Sequence, residues 1–247
     1  MSTNQISLQD KVVLITGGAL GAVTAELLSK NGAKIAYVYH ANVKSAEEAI
    51  KSLNGQGHKG YQADLRTETS IKDVFEKVKK DFGKIDIAIN NVGKVIKKPI
   101  VNISEEEYEE MFNLNSKVAF FFIKYAAIHL SNGGKIVSTV TSLLAAFTGN
   151  YSIYAGSKAP VEHFTRAASK ELQQRRISVN AIAPGPMDTP FFYPQEEDAA
   201  VAFHKSQALD GRLTDTHDIA PIIKHLVSDG NWITGQTIFA NGGYTTR

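Results

Sequence analysis

Short apolar runs recur along the chain with helical patterns between them. KVVLIT (11–16), KIAYVYH (34–40), IDIAIN (85–90), KIVST (135–139) and ISVNAI (177–182) are rich in β-branched residues and almost continuously apolar, the pattern of strands buried on both faces of a parallel sheet. TIF (237–239) adds a further strand, and another is expected just before Asp64-Leu65. Segments 22–31, 45–53, 69–82, 105–130 and 160–174 carry apolar residues at helical spacing, and Gly32 and Gly83 stand where a helix would end before the next strand. This alternation predicts one α/β domain over residues 1–247, a Rossmann-type doubly wound parallel sheet flanked by helices. Its ligand crevice lies at the carboxyl ends of the strands.

Composition narrows the partners more than the fold. No Pro/Ser-rich linker or charge block divides the 247 residues. With 27 basic and 25 acidic residues the net charge is +2, so a small molecule is the expected partner rather than nucleic acid or an anionic membrane. The absence of cysteine removes disulfides, thiolate nucleophiles and cysteine-bound metals, and no metal site is expected. The first ten residues lack the apolar core of a signal peptide, and no run approaches membrane-spanning length. A cytoplasmic location is the expectation.

Tyr154-Ala-Gly-Ser-Lys158 carries the chemistry. On a helix, residues four apart share a face, so the phenol and the ammonium can point into one pocket. A phenol holds its proton to about pH 10, and a neighbouring cation favours the phenolate, which makes the pair a candidate proton donor to a carbonyl. Ser142 ends an apolar strand-like segment twelve residues upstream. Taken alone, Tyr-x-x-x-Lys also describes a solvated lysine beside a half-buried tyrosine, so its companions matter. Thr16-Gly17-Gly18-Ala19-Leu20-Gly21-Ala22 lies between the first strand and the first helix, where backbone N–H groups can meet a pyrophosphate. Asp64-Leu65 and Asn90-Asn91-Val92-Gly93 follow two other strands and face the same crevice, although strand-end turns favour the same residue types.

With these stretches, Asn115 in Asn113-Leu114-Asn115-Ser116, Pro184-Gly185 with Thr189, and Asn241-Gly242-Gly243, the chain resembles the short-chain dehydrogenase/reductase family along nearly its whole length. The resemblance implies about seven strands and a dinucleotide bound by Gly17, Gly21, Asp64, Leu65, Asn91 and Gly93, with Asn90 beside them. It also implies that Lys158 holds the nicotinamide ribose while Pro184, Gly185, Met187 and Thr189 meet the carboxamide. Tyr154 would be the proton donor, Ser142 the hydroxyl facing the substrate oxygen and Asn115 the holder of a relay water. Thr141 stands at the family's usual spacing of thirteen from the tyrosine and is the alternative to Ser142, as Asn113 is to Asn115. Family members are commonly tetramers, so a homotetramer or homodimer is expected.

Dinucleotide folds that select NAD usually place an acid at the end of the second strand. Tyr39-His40-Ala41-Asn42 has none there, and Lys44 and Ser45 follow. His40 and Lys44 are therefore expected to take a 2′-phosphate, with NADP(H) preferred over NAD(H); the alternative is a solvated helix start capped by Ser45.

The glycine turn departs from the family's Thr-Gly-x-x-x-Gly-x-Gly pattern. Counted forward from Gly17, Gly21 is the middle glycine and Val23 occupies the third site. Counted back from Gly32, Gly21 is the third and the loop is about two residues short, the register that continues an apolar stripe through Val23, Leu27 and Leu28.

Residues 187–212, with Phe191, Phe192 and Tyr193, form an expected lid. With Leu143, Leu144 and Phe147 they suggest an apolar or aromatic ketone, although the same side chains could pack against a subunit. The alternative function is a catalytically impaired cofactor sensor or scaffold, for which the short glycine loop speaks. A serine–lysine hydrolase leaves Asp64 and Asn90-Asn91 unexplained and lacks a Gly-x-Ser-x-Gly elbow.

Overall fold

The computed structural model describes residues 8–146 and 148–246; Phe147, expected in the substrate pocket, lies outside them. Seven parallel strands form one sheet: β1 (Val12–Thr16), β2 (Lys34–Tyr39), β3 (Lys59–Gln62), β4 (Ile87–Asn90), β5 (Lys135–Thr139), β6 (Ser178–Pro184) and β7 (Thr237–Ala240). Their order is β3-β2-β1-β4-β5-β6-β7, so the winding reverses between β1 and β4 and opens a crevice there. Alternate residues of β1 serve opposite faces. Val12 and Leu14 pack with Ile71, Phe75 and Phe122 on one side, while Val13 and Ile15 pack with Leu20, Leu28 and Ile223 on the other. That double burial is why the strand sequences read as unbroken apolar runs.

The covering helices are α1 (Ala19–Lys30), α2 (Val43–Lys51), α3 (Glu68–Phe82), α4 (Glu105–Phe112), α5 (Val118–His129), α6 (Ser152–Glu171), α7 (Asp198–Ser206) and α8 (Thr216–Val227). Among the described residues, none is long and apolar enough to cross a membrane. Gly83 ends α3 at φ 76°, in the left-handed region that favours glycine.

Three expectations change. The helical segment 105–130 is broken by a π turn over Asn113–Lys117, so that α4 and α5 are separate. The helix expected over 160–174 starts at Ser152, with Pro160 in its interior. Burial of Ile153, Tyr154, Ser157, Lys158 and Val161 holds this helix across the proline, outweighing a local preference that favours proline at a helix start. Helix α8, absent from the sequence expectation, starts at a capping box in which Asp215 and Asp218 each accept from the other's end of the turn.

Gly21 lies inside α1, and a Cβ built there would fall 2.3 Å from the Thr16 carbonyl oxygen. The helix can approach β1 only with glycine at this position, which is the role of a third, packing glycine. The geometry therefore agrees with the short-loop register. Gly21→Ala should destabilise the fold by about 1–3 kcal/mol, the usual range for overpacking, read as a lower midpoint of urea unfolding with unchanged slope.

Candidate active site

The carboxyl ends of β1, β2, β4, β5 and β6 open on a crevice of about 870 Å³. It runs from Gly17, Gly18, His40, Asp64, Leu65 and Arg66 at one end, past Asn91, Gly93, Thr141, Tyr154 and Lys158, to Phe191, Glu196, His204 and Tyr244 at the other.

At the strand crossover the Asn91 N–H donates to Thr16 Oγ1 at 2.6 Å, and its side-chain amide donates to the Gly17 carbonyl at 3.0 Å. Asn91 thus ties β4 to the glycine turn. Asn90 is buried and turned inward, where its Oδ1 accepts from the Val92 N–H at 3.1 Å, so it does not line the crevice with Gly93 as expected.

The second-strand end needs a larger correction. His40 and Asp64 line the crevice, but Lys44 does not; it is exposed on the first turn of α2. The basic group beside His40 is instead Arg66, whose guanidinium donates to Asp64 Oδ2 at 2.9 Å. Partial burial works against ionising Asp64, but the Arg66 N–H and guanidinium, with His40 at 3.7 Å, hold its carboxyl below the usual range.

Tyr154 is buried on the first turn of α6, and the Thr141 side chain lies beside its phenol, where it favours the phenolate. Ser142 also lines the crevice, but its hydroxyl donates to the Ala183 carbonyl at 3.1 Å. The structure therefore puts Thr141, not Ser142, beside the Tyr154 phenol. The physical reason is the short 3-10 turn Ser142–Leu144, in which Thr141 is the extended residue before the turn and Ser142 is drawn toward β6.

Burial pushes the Tyr154 phenol up to about 12, against the pull of the neighbouring Thr141 side chain. The same burial brings the Lys158 ammonium down to about 8. Its Nζ donates to the Val92 and Thr139 carbonyls, both at 3.0 Å, and a Cβ on Gly93 would lie 3.0 Å from it. The expected depression of the phenol is thus absent, because desolvation of the ring dominates.

Asn115 sits in the π turn, and both its amide hydrogens are committed, to the Lys94 carbonyl and to Ser157 Oγ at 2.9 Å each. Its Oδ1 accepts from the Lys94 N–H at 2.9 Å. Ser157 in turn donates to the Tyr154 carbonyl at 3.0 Å, while Ser116 donates to the Ser157 carbonyl. The π turn therefore grips the first turn of α6 and the Gly93-Lys94 backbone, and π turns often mark functional sites. Of this turn only Leu114 is in the crevice lining; Asn113 and Asn115 are not.

Pro184, Gly185, Met187 and Thr189 line the crevice beyond β6. A Cβ on Gly185 would meet Thr214 Oγ1 at 2.8 Å and Asn241 at 3.2 Å, so the Asn241-Gly242 turn comes close only because residue 185 is glycine. Thr189 Oγ1 is buried without a hydrogen-bond partner, and a buried polar atom of this kind calls for a ligand. Together with the cradle at Gly93, it shows that the residues present fit a dinucleotide.

Part of the expected lid, 187–212, is helical as α7. It is fastened over the far end of the crevice by Glu196, whose carboxylate is fully enclosed. Lys97 Nζ meets Glu196 Oε2 at 2.6 Å, the Tyr151 hydroxyl donates to Oε1, and His204 lies 3.5 Å away. His204 also contacts the Tyr244 hydroxyl at 2.9 Å. Burial opposes the Glu196 charge, but Lys97 and Tyr151 hold its carboxyl below the usual range. Sequence reasoning missed this cluster, as it missed Arg66 and Ser157, because its members come from distant segments and carry no shared spacing.

A doubly wound sheet with a glycine turn at its crossover and a buried Thr-Tyr-Lys set beside it defines a nucleotide-dependent oxidoreductase. The family model described as enoyl-(acyl carrier protein) reductase matches residues 17–245, and the chain belongs to the short-chain dehydrogenase/reductase family. A hydroxynaphthalene reductase-like protein, Arp2, from Metarhizium majus is 34% identical over 262 residues, covering 97% of each chain. A Burkholderia cenocepacia protein assigned as a dehydrogenase, solved with bound NADP, is 55% identical with a TM-score of 0.96, over 98% of this chain and 96% of its own. The angucycline C-6 ketoreductase LanV, solved with NADP, is 28% identical with a TM-score of 0.90 over 96% of each chain.

Proposed function

We propose that this protein is an NADP(H)-dependent carbonyl reductase acting on an apolar or aromatic ketone. The observation that carries the reading is that Thr141, Tyr154 and Lys158, all buried, line the crevice together, with the Thr141 side chain beside the Tyr154 phenol. Gly17, Gly18 and Asn91 form the diphosphate end, Asp64 and Leu65 the adenine side, and Gly93, Lys158, Met187 and Thr189 the nicotinamide side. The cofactor supplies the hydride for the carbonyl carbon.

The chain's own residues manage the oxygen. The Tyr154 O–H gives its proton to the carbonyl oxygen, the Thr141 hydroxyl donates to the developing oxyanion, and the Lys158 cation favours the phenolate left behind. Asn115, through Lys94 and Ser157, fixes the backbone around Lys158 and Tyr154. This replaces the relay role expected of its side chain, whose donors are already used.

Arg66 supplies the positive charge and His40 a further ring nitrogen for a 2′-phosphate, and the NADP held by the 55% identical Burkholderia cenocepacia protein supports the preference over NAD(H). The substrate end is walled by Leu143, Tyr151, Phe191, Phe192, His204 and Tyr244, surfaces that suit a flat ring system. The names of the hydroxynaphthalene reductase-like and ketoreductase relatives agree with that choice. A homotetramer or homodimer belongs to the same reading, supported by exposed apolar Phe120 and Ile128 on α5 and by Trp232.

Oxidation of NADPH over a panel of aliphatic, monocyclic and bicyclic aromatic ketones tests the reading. Turnover greatest with bicyclic ketones and lower kcat/KM with NADH is the expected result. Tight NADPH binding with no turnover on any ketone would instead point to the cofactor-sensing alternative.

A further inference from the structure

The loop joining β1 to α1 is only Gly17 and Gly18, and the phenol of Tyr37 lies directly beneath it. A Cβ on Gly17 would come 3.0 Å from the Tyr37 hydroxyl oxygen and 3.2 and 3.3 Å from ring carbons Cε1 and Cζ. Tyr37 stands in the middle of β2, paired with Ile15 of β1. It is 3% exposed, yet it lines the crevice.

The polar groups of this short loop are largely used by the protein itself. The Gly17 carbonyl accepts from Asn91, the Gly17 N–H donates to the Val38 carbonyl at 2.7 Å, and the Gly18 N–H lies beside the Tyr37 oxygen. A longer glycine loop has more backbone N–H groups to turn toward an anion. Here the Tyr37 phenol stands beside the loop's Gly18 N–H instead. That phenol has a proton of its own to give, and among the described residues no acceptor for it is found. An N–H beside the hydroxyl oxygen polarises it toward giving that proton to an acceptor. Burial keeps the phenol protonated well above neutral pH. Nothing of opposite character blocks the approach, because the first turn of α1 carries no acidic residue and Gly18 provides no side-chain cap.

We infer that the Tyr37 hydroxyl is a donor to the cofactor's diphosphate, replacing backbone donors that the two-residue loop does not offer. The inference rests on the dinucleotide reading above and adds a residue to it. It also explains why a large aromatic side chain stands in the middle of β2 beneath the glycine loop, where its ring supports the loop and its hydroxyl reaches the crevice.

Tyr37→Phe keeps the ring and removes only the hydroxyl. NADPH and adenosine 2′-monophosphate, which has no diphosphate, are titrated against wild type and variant. NADPH affinity should fall about tenfold to a hundredfold, the weight of one hydrogen bond to a charged group, with adenosine 2′-monophosphate affinity nearly unchanged. An equal loss on both ligands, or no loss on either, overturns the assignment. If wild type binds neither NADPH nor NADH, the dinucleotide reading falls with it, whereas tight binding by both proteins removes only Tyr37. Should the variant fail to fold, the Tyr37 Cζ signal of wild type with ¹³C-labelled tyrosine gives the answer. Inorganic pyrophosphate should move that signal and adenosine should not; a signal unmoved by pyrophosphate overturns the proposal.

Discussion

Tyr154→Phe should lower kcat for ketone reduction by about 10²–10⁴-fold, the contribution of a positioned general acid, while the dissociation constant for NADPH stays near that of wild type. The ring is packed against Tyr151 and Phe191, with centroids 6.2 and 6.4 Å away, so phenylalanine fills the same space and only the proton is lost. A variant that keeps nearly all its turnover would remove Tyr154 from the mechanism. The pH profile follows from the same burial. The phenol, pushed to about 12, stays protonated across the working range, whereas Lys158, brought down to about 8, loses its charge as pH rises through that value. The sign is therefore a plateau below about pH 8 and a falling reduction rate above it, since the neutral amine no longer favours the phenolate.

Thr141→Ala should lower kcat by about 10²–10³-fold, as removal of an oxyanion donor does, whereas Ser142→Ala should leave kcat close to wild type. The Ser142 hydroxyl bonds the Ala183 carbonyl, so its loss costs about 1 kcal/mol of stability and touches no reacting atom. Thr141→Ser keeps the hydroxyl and should restore most of the rate. Equal kinetic losses in the two alanine variants would contradict the assignment, and a larger loss for Ser142→Ala would reverse it.

The layout of the sheet was legible because its strands are buried on both faces and so appear as unbroken apolar runs. The Tyr154–Lys158 pair was legible because helical spacing is itself a distance. What the sequence hid depended on contacts across the fold. Thr141 and Ser142 are adjacent hydroxyls, and only the turn after β5 decides which one faces the phenol. Lys44 and Arg66 are both basic residues near strand ends, and only the path of the chain after β3 brings Arg66 to the crevice. The start of α6 was misread because Pro160 is a good first residue of a helix, while burial of the preceding turn overrode it. The π turn at Asn113–Lys117 has no local spacing signature; its cause lies in the grip of Asn115 and Ser116 on Lys94 and Ser157.

The central claim is that this crevice moves a hydride to a ketone carbon while Tyr154 protonates the oxygen. Reduction of a bicyclic aromatic ketone with 4,4-dideuterated NADPH, followed by mass spectrometry and NMR of the alcohol, tests it most directly. The expected alcohol carries one deuterium on the carbinol carbon and an oxygen-bound hydrogen that exchanges with solvent. An alcohol without label at that carbon, or consumption of NADPH with no alcohol formed, would contradict it.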